Sequence, residues 1–341
     1  MDSANIETAR PETGKTAQKA DVKALVALTD ADMVRVNALI TARMQSEVAV
    51  IPALAEHLIA AGGKRLRPLL CVAAARLCGT ANDNHHKLSA AVEFIHTATL
   101  LHDDVVDSSQ LRRGKVAAHL IWGAPSSVLV GDFLFARAFE LMVETGSLRA
   151  LDILSKASAV ITQGEVLQLM KAFDLNLSQS DYIEIISSKT AALFSAASES
   201  GAVAADASEE RITALYSYGL NLGLAFQIQD DVLDYQGGDL GKNAGDDFAE
   251  GKSTLPLILA MKATRASDAP FWERTIGRRE QKPGDFQHAQ ALMQATGALD
   301  ASRAVARTYA DKARAALSVF EAGAWRTALE DLAAYSVERQ T

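Results

Sequence analysis

Residues that could do chemistry gather in two places along the chain. Asp103, Asp104 and Asp107 close an apolar run that begins at Phe94; Asp230, Asp231 and Asp234 close a second that begins at Tyr218. Both have the spacing D-D-x-x-D. On a helix, residues four apart share a face, so Asp103 stacks with Asp107 and Asp230 with Asp234, with the middle acid beside them. Two carboxylates about 4 Å apart repel by about 4 kcal/mol at an effective dielectric near 20. Water relieves that repulsion, and a divalent cation relieves it better. Oxygen ligands, with no Cys or His in either triplet, favour Mg2+, which takes one or two carboxylates and fills its shell with water and substrate phosphate. One triplet alone would read as a solvated acidic helix end. The second copy, 127 residues further on, points to a paired metal site.

Cations follow each cluster. Arg112 and Arg113 come nine and ten residues after Asp103, and Lys242 comes twelve after Asp230. Lys252 stands in Gly251-Lys252-Ser253-Thr254, Lys64, Arg65 and Arg67 follow Gly62-Gly63, and Lys189-Thr190 makes a fourth group. Glycine beside a cation lets backbone and side chain both approach a polyanion. Most Lys and Arg are simply surface charges, and that reading weighs most on Lys252. Acids with separated cations suit an anion held partly through metal and partly directly, and diphosphate fits. His96 lies two turns before Asp103 on nearly the same face, and Gln227 lies one turn before Asp230 and Asp231.

The elements that must position these residues read as helices. Apolar residues recur at i, i+3 and i+4 from Ala24 to Ala61, with a break at Pro52, and again up to Leu77. Asn82 to His86 reads as a polar loop with His85 and His86 exposed to solvent. The central helix then runs from about Leu88 to Asp107. Later helical patterns cover roughly 127–144, 151–173, 180–200, 208–235, 254–264, 287–296, 302–320 and 324–338. Ser127 to Val130 and Arg211 to Tyr216 could pass for strands, but each sits within a longer 3.6 period. The fold class is therefore all-α: one domain over about 24–341 behind a flexible tail at 1–22. Gly14-Lys15-Thr16 in that tail resembles the end of a P-loop, but Ala9 stands where its first glycine is required.

Composition narrows the function. The 341 residues are 49% hydrophobic and 22% charged, with 34 basic against 42 acidic side chains, a net charge of −8 and no basic block. Nucleic acid is thereby excluded as the main partner. Cys71 and Cys78 match no zinc spacing and read as small buried hydrophobes in a reducing compartment. Met1 to Ala20 lacks the apolar core of a signal peptide, and no uncharged apolar run reaches about 18 residues, so a cytoplasmic chain without a transmembrane segment is expected.

Taken together the motifs resemble the trans-isoprenyl diphosphate synthase family. Gly62-Gly63-Lys64-Arg65-Leu66-Arg67-Pro68 is similar to its first basic motif, and Asp103–Asp107 with Arg112-Arg113-Gly114 to its first aspartate-rich motif. Gly131-Asp132-Phe133-Leu134, Lys189-Thr190, Phe226–Asp234 and Gly251–Pro256 follow in the family's order. The resemblance implies antiparallel helices around a deep central cavity, and a homodimer. It implies that Lys64, Arg67, His96 and Arg113 hold the diphosphate of isopentenyl diphosphate. Asp103, Asp107 and Asp230 would bind two to three Mg2+ ions, with Mn2+ as an alternative. Arg112, Lys189, Thr190, Gln227 and Lys242 would contact the allylic diphosphate and Lys252 would bind substrate, with Asp104, Asp231, Asp234 and Lys189 completing the catalytic set. In this family, bulk just before the first aspartate stops the growing chain. Ala98 and Thr99, about 6–7.5 Å along the helix from Asp103, are both small and imply a product of about eight to ten isoprene units, as in quinone side chains. A farnesyl- or geranylgeranyl-length product is the alternative. A class I terpene cyclase would carry a different second motif, and a non-catalytic subunit would have lost aspartates. Transient membrane contact would serve product release.

Overall fold

The computed structural model describes residues 22–60, 63–80, 82–236 and 245–339. The expected tail at 1–22 lies outside them except for Val22, and so does Lys242. Among the described residues the chain is helical apart from one two-stranded hairpin, in which Leu111–Arg112 pairs with Lys115–Val116. The helices run α1 Lys23–Arg43, α2 Val50–Ala60, α3 Leu66–Leu77, α4 Asn84–Val106, α5 Ala118–Trp122, α6 Ala124–Glu144, α7 Leu148–Met170 and α8 Gln179–Ile186. A π-helical turn, Ser187–Ala191, leads into α9 Ala192–Ala204 and α10 Glu209–Gln236. Then come α11 Asp246–Glu250, α12 Leu255–Ala263, α13 Ala269–Trp272 with a second π-turn at Glu273–Gly277, α14 Asp285–Ala295, α15 Ala298–Ala316 and α16 Ala324–Glu338.

Three expectations need correction. Pro52 does not break a helix: it sits in the first turn of α2, where its missing N–H costs nothing, and the break falls before Val50. Likewise α6 starts at Ala124 rather than at about 127, with Pro125 in its first turn. Third, Asn82 to His86 is not an exposed loop. Helix α4 begins at Asn84, and His85 and His86 are buried, at 1% and 5% exposure. Both imidazoles face Asp32 of α1, whose Oδ1 lies 2.7 Å from His86 Nε2 and 3.3 Å from His85 Nε2. Arg76 of α3 forks onto the same carboxylate through Nη2 at 2.6 Å and Nε at 2.9 Å. With both carboxylate oxygens engaged by Arg76, the cluster is a staple joining α1, α3 and α4.

Helix α4 is the axis of the core. One apolar cluster packs Phe94, Ile95, Ala98 and Leu101 of α4 against α3, α6, α7, α9 and α10. Smaller clusters form around Ile228 and Ile258, and around Tyr235, Phe248 and Trp272. Cys71 is buried and Cys78 half-buried, both free, and burial pushes both thiols up to about 11, so neither is a ready nucleophile.

Candidate active site

The C-terminal turn of α4 carries the first acidic triplet, and its three acids have different tasks. Asp104 turns inward, is 1% exposed, and accepts Arg112 Nε at 2.7 Å together with Arg112 Nη2. It holds that guanidinium on the β-hairpin beside the cluster. Asp103 is half-buried, and its carboxyl is pushed up to about 7. Burial is the main cause; Glu165 and Asp107 add to it, while Lys189 and Arg112 act against it. A carboxylate so poorly solvated beside two others gains much from a divalent cation. Asp107 faces Lys252, whose Nζ lies 3.6 Å from its Oδ2 and also pairs with Glu250. Burial opposes the charge on Lys252, but Asp247, Asp107 and Glu250 outweigh it and raise its pKa. The lysine with the weakest case in the sequence thus reaches the first acidic cluster from the far end of the second.

The second triplet, near the end of α10, divides in the same way. Asp231 is buried, accepts Tyr182 Oη at 2.5 Å and Gln227 Nε2 at 2.7 Å, and has its pKa raised mainly by burial. Gln227 in turn accepts Thr190 Oγ1 at 2.8 Å. Asp234 is buried too and accepts the backbone N–H of Asp247 at 3.2 Å, which fixes the start of α11. Asp230 has a side chain 41% exposed and is paired with Arg339.

The π-turn between α8 and α9 links the two triplets. Lys189 acts electrostatically on Asp103, while its neighbour Thr190 joins the chain to Asp231. Helix α7 comes close to this turn at Gly164: a Cβ there would stand 2.7 Å from Ser188 Cβ and 2.9 Å from the Lys189 backbone nitrogen. The close approach brings Glu165 to Lys189, Oε2 to Nζ at 2.7 Å. π-turns of this kind are frequent at functional sites.

The basic group forms a second face. Arg67 is pushed below its ordinary value by burial yet stays charged at neutral pH, and it stacks 4.5 Å over the Phe194 ring. Its Nη1 lies 3.2 Å from His96 Nε2. A guanidinium can only donate, so Nε2 is the acceptor and His96 is a neutral imidazole protonated at Nδ1. Burial, then Arg67, Arg113 and Arg112, hold its pKa well below the ordinary value, which agrees. Arg113, in the hairpin turn at φ 53°, lays its guanidinium on Gly63; a Cβ there would meet its Nη1 at 2.6 Å. A glycine in the first basic motif and an arginine just after the first aspartate triplet are thus two halves of one contact. Lys64 Nζ donates to Tyr335 Oη at 2.7 Å.

Ala98, under the first triplet, is fully buried, and Thr99 Oγ1 donates to the His96 carbonyl at 2.8 Å. A cleft lined by Ile40, Phe94, Thr97 and Leu134 opens beside Arg112 and Arg113. Thr99 points about 200° around α4 from Thr97, so that cleft is not the space it faces. Sequence reasoning missed Glu165, Tyr182 and Arg339. Only Glu165 left a signal, the mid-helix glycine before it.

The donor set suits a hard divalent cation. Among the described residues, the Asp103, Asp107 and Asp230 oxygens do not converge on one point, and the one group of three that does is Asp32, His85 and His86, already bound to Arg76. Carboxylates spread over two helices suit Mg2+, which takes few protein ligands and completes its shell with phosphate and water.

Comparison with known proteins agrees with this chemistry. The polyprenyl synthetase family model matches residues 48–293. Octaprenyl diphosphate synthase of Escherichia coli is 46% identical over 316 residues, 92% of this chain and 97% of that protein. A polyprenyl synthase from Caulobacter crescentus, solved with calcium and isoprenyl diphosphate, superposes with a TM-score of 0.93 at 66% identity over 95% of this chain and 99% of that one. A decaprenyl diphosphate synthase from Rhodobacter capsulatus gives 0.90 at 51% identity, over 94% and 100%.

Proposed function

The chain belongs to the polyprenyl synthetase family, and from that premise we propose a division of labour among its residues. The enzyme is a trans-prenyltransferase that adds isopentenyl diphosphate head-to-tail onto an allylic diphosphate and makes a long polyprenyl diphosphate. Lys64, Arg67, His96 and Arg113 hold the isopentenyl diphosphate. Arg112, Lys189, Thr190, Gln227, Lys242 and Lys252 hold the allylic one. Asp103, Asp107 and Asp230 carry two to three Mg2+ ions, or Mn2+, which would neutralise the charge the departing diphosphate gains. Asp104, Asp231 and Asp234 act through Arg112, Gln227 and the start of α11, which they position.

The observation that carries this reading is the π-turn, where adjacent residues Lys189 and Thr190 serve opposite acidic clusters. An allylic diphosphate between the clusters meets cations and hydroxyl donors from both sides. Its allylic carbon, once cationic, is attacked by the isopentenyl double bond. The proton lost afterwards goes to the released diphosphate, so no side chain has to act as base. The apolar faces of α4 and its neighbours keep water from the cation.

The product is about C40 to C50, as quinone side chains require, because Ala98 and Thr99 place no bulk below Asp103. We also propose a single catalytic unit over 24–341, a cytoplasmic location and a homodimer. Exposed apolar residues on α6 and α7, among them Leu129, Val143, Leu148 and Met170, suit a second copy. Among the described residues no helix is long and apolar enough to cross a membrane, so product release would use transient contact. The test is purified protein with farnesyl diphosphate and radiolabelled isopentenyl diphosphate, with and without EDTA, products sized by mass spectrometry. Chains ending at fifteen or twenty carbons would refute the length, and full activity in EDTA would refute the metal.

A further inference from the structure

Just past α16, Arg339 is only 8% exposed and is held at several points. Its Nη2 donates to Asp230 Oδ1 at 2.5 Å and to the Phe226 carbonyl at 3.1 Å, and its Nε to the Ser336 carbonyl at 3.2 Å. The guanidinium lies 3.9 Å over the Phe226 ring, and the Arg339 carbonyl accepts Gln229 Nε2 at 3.2 Å. One turn earlier, Tyr335 holds Lys64. The end of α16 therefore grips one residue of the isopentenyl-binding group, Lys64, and one acid of the second triplet, Asp230.

We propose that Arg339 is a built-in competitor for the cation at Asp230, and that metal binding there displaces it. The inference rests on the reading of Asp230 as a metal ligand. Asp230 is the one acid of its triplet that is substantially exposed, since Asp231 and Asp234 are buried on protein partners. A cation that coordinates Asp230 meets a positive charge already seated on Oδ1, so metal and guanidinium cannot both keep their best geometry. Binding of one weakens the other by a common factor. Release of Arg339 also loosens the segment that holds Lys64 through Tyr335.

The test is Mn2+ binding to the full chain, measured calorimetrically in metal-free, low-salt buffer for wild type, Arg339→Gln, Arg339→Lys and Asp230→Asn. Arg339→Gln should bind Mn2+ about two- to fivefold more tightly, the range for a partly exposed ion pair. Arg339→Lys keeps the charge but loses the fork, and should tighten binding less. If Arg339→Gln does not fold, Arg339→Lys decides by the same measurement. Unchanged or weaker Mn2+ binding in the arginine variants, with binding lost in Asp230→Asn, would overturn the competitor role and leave the metal reading standing. Unchanged binding in Asp230→Asn would overturn both.

Discussion

Asp103→Asn should make this protein more stable while removing a proposed metal ligand. The Asp103 carboxyl is pushed up to about 7 in the fold, chiefly by burial, from an ordinary 3.8. Between those two values the folded chain keeps a proton that the unfolded chain has released. Stability contributed by this group therefore falls as pH rises through that window and levels off above about 7. At about 1.36 kcal/mol per pH unit the full cost of the ionised form is about 4 kcal/mol. Asp103 is only half-buried, so solvent screening brings the expected range to about 2–4 kcal/mol. Asparagine keeps the size and cannot ionise. With an unfolding entropy near 2.1 cal/mol/K per residue, the gain corresponds to roughly 3–6 °C in Tm for a chain of this length. The assay is thermal unfolding in EDTA at pH 5 and pH 8. The variant's advantage at pH 5 should be about a third of the full value it reaches at pH 8. Adding Mg2+ with pyrophosphate should then stabilise the wild type and leave the variant where it was. A Tm at pH 8 equal to or below wild type, or an advantage independent of pH, would refute the reasoning.

Other outcomes follow from the same geometry. Ala98→Phe should shorten the product, read by mass spectrometry; an unchanged length would put the floor of the tunnel elsewhere. Gly164→Ala forces a Cβ to 2.7 Å from Ser188 and should lower kcat at least tenfold with wild-type-like circular dichroism; full activity would mean that the π-turn can shift freely. Tyr182→Phe removes a donor from the buried Asp231 and should cost about 1–3 kcal/mol of stability by denaturant titration, with weaker binding of the allylic diphosphate. Asp32→Ala leaves Arg76 and two imidazoles without their shared acceptor and should cost about 3–5 kcal/mol without changing product length.

The all-α fold was legible because helical periodicity is local, and α16 was read to the residue. Periodicity could not show that Pro52 and Pro125 sit in first turns, since a proline looks the same just before a helix as just inside it. His85 and His86 were misread because what buries them, Asp32 and Arg76, comes from two other helices. Both aspartate clusters were visible from spacing, but spacing treats their acids alike. Only packing separates Asp104, Asp231 and Asp234, which are buried on protein partners, from the more exposed Asp103 and Asp230. The π-turn left no mark in the sequence, because its extra residue is defined by hydrogen bonds that depend on where α7 approaches.

That extra residue has a geometric consequence. An α-helical turn through 187–191 would hold one residue fewer, and everything before it would rotate by about 100° against everything after it. Lys189 could then no longer act on Asp103 while Thr190 bonds Gln227. Deleting any one residue from this turn is therefore a different kind of change from substituting one: it would set α8 and α9 out of phase with each other and break one of those two contacts.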